Sequence, residues 1–270
     1  MIDKKIGIIG CGNMGEAIFS RLARTMEKST SLMVSEADSA RRLSIQEKHR
    51  IIVEIDNNRL VKFADVIILA VKPHDLENVL SQEVCCGVSA DKLVISIAAG
   101  VTTRHIEKAI GSDVPVIRAM PNMPAVIGEA ISSLSAGRSA NAGHMDMARS
   151  IFSLIGEVVV VDENLVDAVT AISGSGPAYF FYLIEALAQA AEKLGLGRDT
   201  AERLAVKTAI GSAKMLEAAK EKPSVLRARV TSKGGTTEAA LRVFEAGGFK
   251  ALVCEAAEAA FRKYKDMHGR

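Results

Sequence analysis

Residues 6–15, IGIIGCGNMG, decide the fold. Ile6, Gly7, Ile8 and Ile9 form a short apolar run that reads as a buried strand. A helical pattern follows, with Met14, Ile18, Leu22 and Met26 recurring every four residues. Between them, Gly10-Cys11-Gly12-Asn13-Met14-Gly15 is G-x-G-x-x-G in a strand–turn–helix context, the setting that separates a dinucleotide-binding turn from a chance match. Gly10 allows the tight turn, Gly12 lets the backbone approach a pyrophosphate, and Gly15 lets helix and strand pack closely. The N–H groups at the helix start then face an anion.

The next strand, 31–35 (SLMVS), ends beside both kinds of cofactor selector. An acid there binds the ribose hydroxyls of NAD, whereas a nearby Arg pairs with the extra phosphate of NADP. Glu36 and Asp38 argue for NADH; Ser35, Arg41 and Arg42 argue for NADPH. Asp38 equally suits a helix N-cap, and the two arginines equally suit a solvated helix face. The balance tilts to NADPH, with NADH as the alternative.

Further strands are expected at 51–53, 65–71 (DVIILAV), 92–99 (KLVISIAA), 115–120, 130–134 and 157–161, with a helix at 141–154. Alternating strands and helices predict a Rossmann-type, doubly wound parallel sheet. Lys72 and Pro73 end one strand, and small residues and Gly100 follow another, at the strand ends where such sheets bind ligands. Lys72 and His74 read as lining that loop rather than as catalytic groups.

The 270 residues suffice for one large domain or two ordinary ones, and 49% hydrophobic with 24% charged residues is normal for a globular chain. A net charge of +2 gives no reason to expect a nucleic-acid or acidic-membrane partner. No apolar stretch reaches the ~20 residues that span a bilayer. MIDKKIGIIG runs directly into the first strand, which predicts no cleavable signal. Cys11, Cys85, Cys86 and Cys254 form neither a disulfide framework nor a metal spacing, and the five histidines are scattered, so a cytoplasmic, metal-free protein is expected.

Past Asp162, strand patterns stop and alanine-rich helices take over. Phe180, Leu183, Leu187, Ala191 and Leu194 share a face closed by Gly195; 198–219 is a long helix; Pro223 permits a new start; Phe249, Leu252, Val253, Ala256, Ala260 and Tyr264 read as the buried stripe of the last helix. So many small apolar positions leave too little polar surface for a free bundle, which predicts a face buried in a second copy. The expected division is a dinucleotide-binding domain at 1–162 and a helical dimerisation and substrate domain at 163–270. Within the latter, Thr231-Ser232-Lys233-Gly234-Gly235-Thr236-Thr237 sets two glycines and several hydroxyls at a helix start, which suits a small carboxylate or ordinary capping.

These stretches together resemble the pyrroline-5-carboxylate reductase family. IGIIGCGNMG, DVIILAVKP, SIAAGV, RAMPNMPA, DAVTAISGSGPAYFF and VTSKGGTTEAAL stand in the family's order and spacing across essentially the whole chain. The resemblance implies NAD(P)H-dependent reduction of 1-pyrroline-5-carboxylate to L-proline, the last step of proline biosynthesis, by a Rossmann domain followed by an all-helical dimerisation domain. It implies homodimers that assemble into decamers. It also implies cofactor contacts at Gly10, Cys11, Gly12, Asn13, Met14, Gly15, Ser35, Asn57, Ala70, Val71, Lys72, Pro73 and Ala98. Substrate contacts would be Glu163, Ser232, Gly234, Gly235, Thr236 and Thr237, with the Thr237 hydroxyl directed at the ring nitrogen. Two positions depart from the family pattern: Lys233 replaces a proline, and Met123 replaces a threonine. A hydroxyacid dehydrogenase is the nearest rival, but none of Lys193, Lys207 and Lys214 lies in the glycine-asparagine helix start that its acid/base lysine needs.

Overall fold

The computed structural model describes residues 2–26, 31–85, 87–111 and 113–268; Cys86 lies outside them. In chain order, β1 (Ile6–Ile9), α1 (Asn13–Thr25), β2 (Leu32–Ser35), α2 (Ser39–His49), α3 (Asn57–Phe63), β3 (Val66–Leu69), α4 (Pro73–Val79), β4 (Leu93–Ser96) and α5 (Thr103–Ile110) come first. Then follow β5 (Val116–Met120), β6 (Ala130–Ala136), α6 (Ala142–Phe152), β7 (Gly156–Val160) and α7 (Val166–Val169). The strands form one sheet in the order β2-β1-β3-β4-β5-β6-β7.

The central strands are buried on both faces, as continuous apolar runs in parallel sheets are. Ile6, Ile8, Ile68, Ile95 and Ile117 pack with Ile18 and Leu22 of α1 and with Ile151 and Phe152 of α6. The alternate residues Ile9, Ile67, Leu69, Val94 and Val116 pack with Leu60 of α3 and Ile106 of α5 on the other side. The pleat sends successive side chains to opposite faces, so each strand serves both layers.

Two expectations need correction. Residues 51–53 form no strand: Ser35 and Glu54 make a single bridge, Val53 is buried, and Ile52 and Ile55 are exposed. Asp56 then caps α3 through the Asn58 N–H, which ends any pairing. The sheet is also not wholly parallel, because β6 runs antiparallel to β5, with Ile117 opposite Ala136. A parallel return takes a dozen or more residues, whereas β5 ends at Met120 and β6 begins at Ala130. β7 then pairs parallel with β6.

The described residues up to Gly174, with those from Phe261 onward, form one compact unit, and Ser175–Ala260 form another. The second is helical: α8 (Gly176–Lys193), α9 (Arg198–Ala219), α10 (Pro223–Arg229) and α11 (Thr236–Ala246), followed by the start of α12 (Phe249–Met267). Pro177 and Pro223 stand in the first turns of α8 and α10, where a missing N–H costs nothing. Of the stripe expected on the last helix, Phe249, Leu252 and Val253 are exposed in the single chain, and of α12 only Tyr264 is buried. Phe180, Phe181, Tyr182 and Val243 are likewise exposed.

Candidate functional site

The glycine loop connects β1 to α1 at the carboxyl edge of the sheet. Gly10 has φ +91° and donates its N–H to the Ser35 carbonyl at 2.9 Å. A Cβ there would lie 2.9 Å from the Ala70 backbone, and one at Gly15 only 2.2 Å from the Gly10 carbonyl oxygen. At Gly12 an added Cβ would meet no protein atom within 4 Å. Packing within the chain therefore demands glycine at 10 and 15 but not at 12, so the bare backbone at Gly12 fits the approach of an external diphosphate. No side chain caps α1, whose N-cap is Gly12, so the first-turn N–H groups at Asn13, Met14 and Gly15 suit that anion.

Side chains distant in sequence brace the loop. Glu36 accepts from the Cys11 N–H at 2.8 Å and from the Asp38 N–H at 3.0 Å. Arg41 donates Nε to the Cys11 carbonyl at 2.8 Å and Nη2 to Glu16 at 2.6 Å. Lys48 and His49 also reach Glu16, at 2.7 and 2.8 Å. Burial opposes ionisation of Glu16, but hydrogen bonds from Lys48, His49 and Arg41 outweigh it and lower the carboxyl to about 2, so it is charged across the physiological range. Burial first, then the Glu16 carboxylate, push the Cys11 thiol up to about 12 against the pull of Arg41. Cys11 thus packs as a thiol rather than acting as a nucleophile.

The remaining expected cofactor residues lie along the same edge. The buried Ser35 hydroxyl bonds the Asn57 side chain, which in turn bonds Glu83. Asp38 caps α2 through the Arg41 N–H at 2.7 Å, and Arg42 donates to the Glu36 carbonyl at 2.8 Å. Ala70 and Val71 follow β3, and Lys72 is the N-cap of α4, with Pro73 opening that helix. Ala98, after β4, is buried and bonds the Ser96 hydroxyl through its N–H. His74 is exposed, 3.4 Å from Asp75.

Ser232, Gly234, Gly235, Thr236 and Thr237 belong to the other unit. Gly234 has φ +75°, and its N–H donates to Glu238 at 2.8 Å, while the Gly235 N–H closes the turn on the Ser232 carbonyl at 3.0 Å. A Cβ on Gly235 would sit 2.8 Å from the Ser232 hydroxyl oxygen. α11 begins at Thr236 with no side-chain cap. Among the described residues, no hydrogen bond engages the hydroxyls of Ser232, Thr236 or Thr237. Bare helix-start donors beside exposed hydroxyls can hold a small carboxylate.

Glu163 falls in the sheet-containing unit. Its carboxylate accepts from the Thr103 N–H at 2.7 Å and the Thr103 hydroxyl at 2.8 Å, at the start of α5. Arg118 stands 3.5 Å away.

Comparison with known proteins decides the family. Residues 163–267 match the family model for pyrroline-5-carboxylate reductase dimerisation, and residues 5–100 match that for coenzyme F420-dependent NADP oxidoreductases. A pyrroline-5-carboxylate reductase of Synechocystis is 40% identical over 264 residues, covering 97% of this chain and 98% of that one. The chain belongs to the pyrroline-5-carboxylate reductase family. A family member from Coxiella burnetii superposes with a TM-score of 0.88 at 36% identity, covering 97% of this chain and 98% of the other. A Plasmodium falciparum pyrroline carboxylate reductase with NADP bound gives 0.86 at 30% identity, over 99% of each chain.

Against that family pattern, Met123 is exposed at the start of a short turn of helix, Met123–Ile127, and Lys233 is exposed. Sequence reading passed over Arg118, whose fully buried guanidinium lies within β5 near Glu163, Asp167 and Tyr264. The available signal was a charged residue inside an apolar strand, VIRAM, since a buried charge requires partners.

Proposed function

We infer that this chain is an NAD(P)H-dependent oxidoreductase that reduces 1-pyrroline-5-carboxylate to L-proline, completing proline biosynthesis. The observation that supports it is one chain of this family carrying a glycine loop open at Gly12 and an uncapped helix start beside hydroxyls, each suited to an anion. A reduced nicotinamide, when bound, supplies the hydride for C5 of the ring. In this reading, the first-turn N–H groups of α1 hold its diphosphate. The Ser232 hydroxyl and the N–H groups of Thr236 and Thr237 hold the substrate carboxylate. The Thr237 hydroxyl orients the ring nitrogen, and Glu163 acts through the α5 start that it caps. An imine needs less acid assistance than a ketone, so placement supplies most of the rate. The test is oxidation of NADH and NADPH in parallel with 1-pyrroline-5-carboxylate. Absorbance loss that requires both partners supports the reading. Turnover of 3-hydroxy acids instead of the imine makes the protein a hydroxyacid dehydrogenase. Cofactor binding without turnover makes it a regulator.

Cofactor preference turns on the end of β2. NADPH use would rest on Ser35, Arg41 and Arg42, but each of these makes the hydrogen bonds within the protein given above. The Glu36 carboxylate at the Cys11 N–H favours NADH, because it would repel a 2′-phosphate. Glu36→Ala is therefore expected to narrow the preference for NADH over NADPH by roughly tenfold. An unchanged ratio of the two kcat/KM values removes Glu36 from selection.

The functional division proposed at 162/163 is supported by the dimerisation match over residues 163–267. The exposed apolar residues of α8, α11 and α12 support a homodimer, and five such dimers would form the decamer; light scattering reads both states. Among the described residues no helix is long and apolar enough to cross a membrane. Among the described residues, Cys11 and Cys254 stand outside any disulfide, which suits a reducing cytoplasm.

A further inference from the structure

The connection between β4 and α5, residues 97–102, carries Ala98 and is tied at two points to one buried cation. Gly100, at φ +76°, donates its N–H to the Tyr264 hydroxyl at 2.6 Å. At the start of α5, Thr103 donates its N–H and hydroxyl to Glu163. Arg118 reaches both anchors: Nη2 donates to the Tyr264 hydroxyl at 3.2 Å, and Nη1 lies 3.5 Å from Glu163. Arg118 is only 1% exposed and also has Asp167 at 3.9 Å. The Tyr264 ring is buttressed in turn by His268, whose ring centroid lies 4.5 Å away and whose Nδ1 is 2.7 Å from the Tyr264 carbonyl. A Cβ on Gly100 would run into the His268 ring. All of these residues belong to the sheet-containing unit.

Packing alone would be served by phenylalanine at 264. The hydroxyl instead meets a backbone N–H in the connection between β4 and α5, and a fixed guanidinium sets its direction. We propose that Tyr264 is a positioning residue for the reductase: its hydroxyl, oriented by Arg118, fixes the Gly100 turn and so the backbone at Ala98, an expected cofactor contact on the carboxyl edge of the sheet. This role rests on the cofactor-binding function inferred above.

The test uses the purified full chain. Tyr264→Phe keeps the ring and removes the hydroxyl. Its expected signature is a rise of about 5- to 20-fold in both Kd and KM for the reduced dinucleotide, the scale of one lost hydrogen bond. KM for 1-pyrroline-5-carboxylate stays within about twofold, a split that a merely structural role does not produce. His268→Ala, which removes the buttress, moves dinucleotide Kd in the same direction by about two- to fivefold. A folded Tyr264→Phe with wild-type dinucleotide Kd, or one that raises both KM values alike, overturns the proposal. If Tyr264→Phe does not fold, His268→Ala decides, and wild-type Kd in that variant overturns it. A wild-type enzyme that binds no reduced dinucleotide defeats the cofactor reading instead.

Discussion

Thr237→Ala is expected to lower kcat/KM for 1-pyrroline-5-carboxylate by roughly 10- to 100-fold, equivalent to ~1.5–3 kcal/mol for one positioned hydrogen bond to a charged group. Thr237 is half-buried in the first turn of α11. Removing its hydroxyl breaks no described hydrogen bond within the protein, and alanine is a better helix former than threonine. The fold should therefore survive, and the loss should appear in kinetics rather than in thermal midpoint. Thr237→Ser keeps the hydroxyl and should retain most of the rate. Steady-state kinetics at saturating dinucleotide measure the difference. Wild-type kcat/KM in folded Thr237→Ala would remove this side chain from the mechanism and leave the backbone N–H groups to orient the substrate unaided.

Legibility in the sequence followed the range of the interactions. Gly10 and Gly15 announce a strand–turn–helix because each answers a local backbone demand, and the helix starts at Pro177 and Pro223 follow from φ and a missing donor. Ile51, Ile52 and Val53 misled because an apolar run carries no record of whether a neighbour pairs with it. Among the described residues of this stretch, Glu54 alone bridges to the short β2 edge, and α3 begins almost at once. The antiparallel β6 is legible in the short link after Met120, which is too short for a parallel crossover.

The bracing of the site was not readable. Glu36 and Arg41 close on Cys11 from 25 and 30 residues away, and Tyr264 meets Arg118 across 146. Such pairs follow from the completed sheet, and local patterns are silent about them. Arg41 illustrates the consequence. At the end of a second strand it reads as a phosphate ligand; the fold adds two contacts that the motif does not announce, Nη2 to Glu16 and Nε to the Cys11 carbonyl. The apolar residues of the helical unit carry the complementary lesson: their spacing predicts a helix face, and the single chain leaves much of that face exposed.

Gly12→Val is expected to raise the Kd for reduced dinucleotide by roughly 100-fold while leaving the fold intact. The two halves of this outcome have separate causes. Gly12 has φ −65°, which L-residues adopt readily, and an added Cβ meets no protein atom within 4 Å. Among the described residues nothing opposes the added Cβ, so the thermal midpoint should shift by no more than about 2–4 °C. In the proposed reading, the new methyl groups instead stand where the loop backbone would approach the diphosphate, so the charge-assisted hydrogen bonds there would lengthen or be lost, each worth ~1.5–3 kcal/mol. Gly15→Ala provides the contrast. Its Cβ would lie 2.2 Å from the Gly10 carbonyl oxygen, a backbone clash that no rotamer relieves. That variant should lose about 1–3 kcal/mol of stability before any ligand is added. Thermal melts and dinucleotide titrations on both proteins separate the effects. A Gly12→Val protein that binds NADH and NADPH like wild type would show that the loop does not hold the diphosphate.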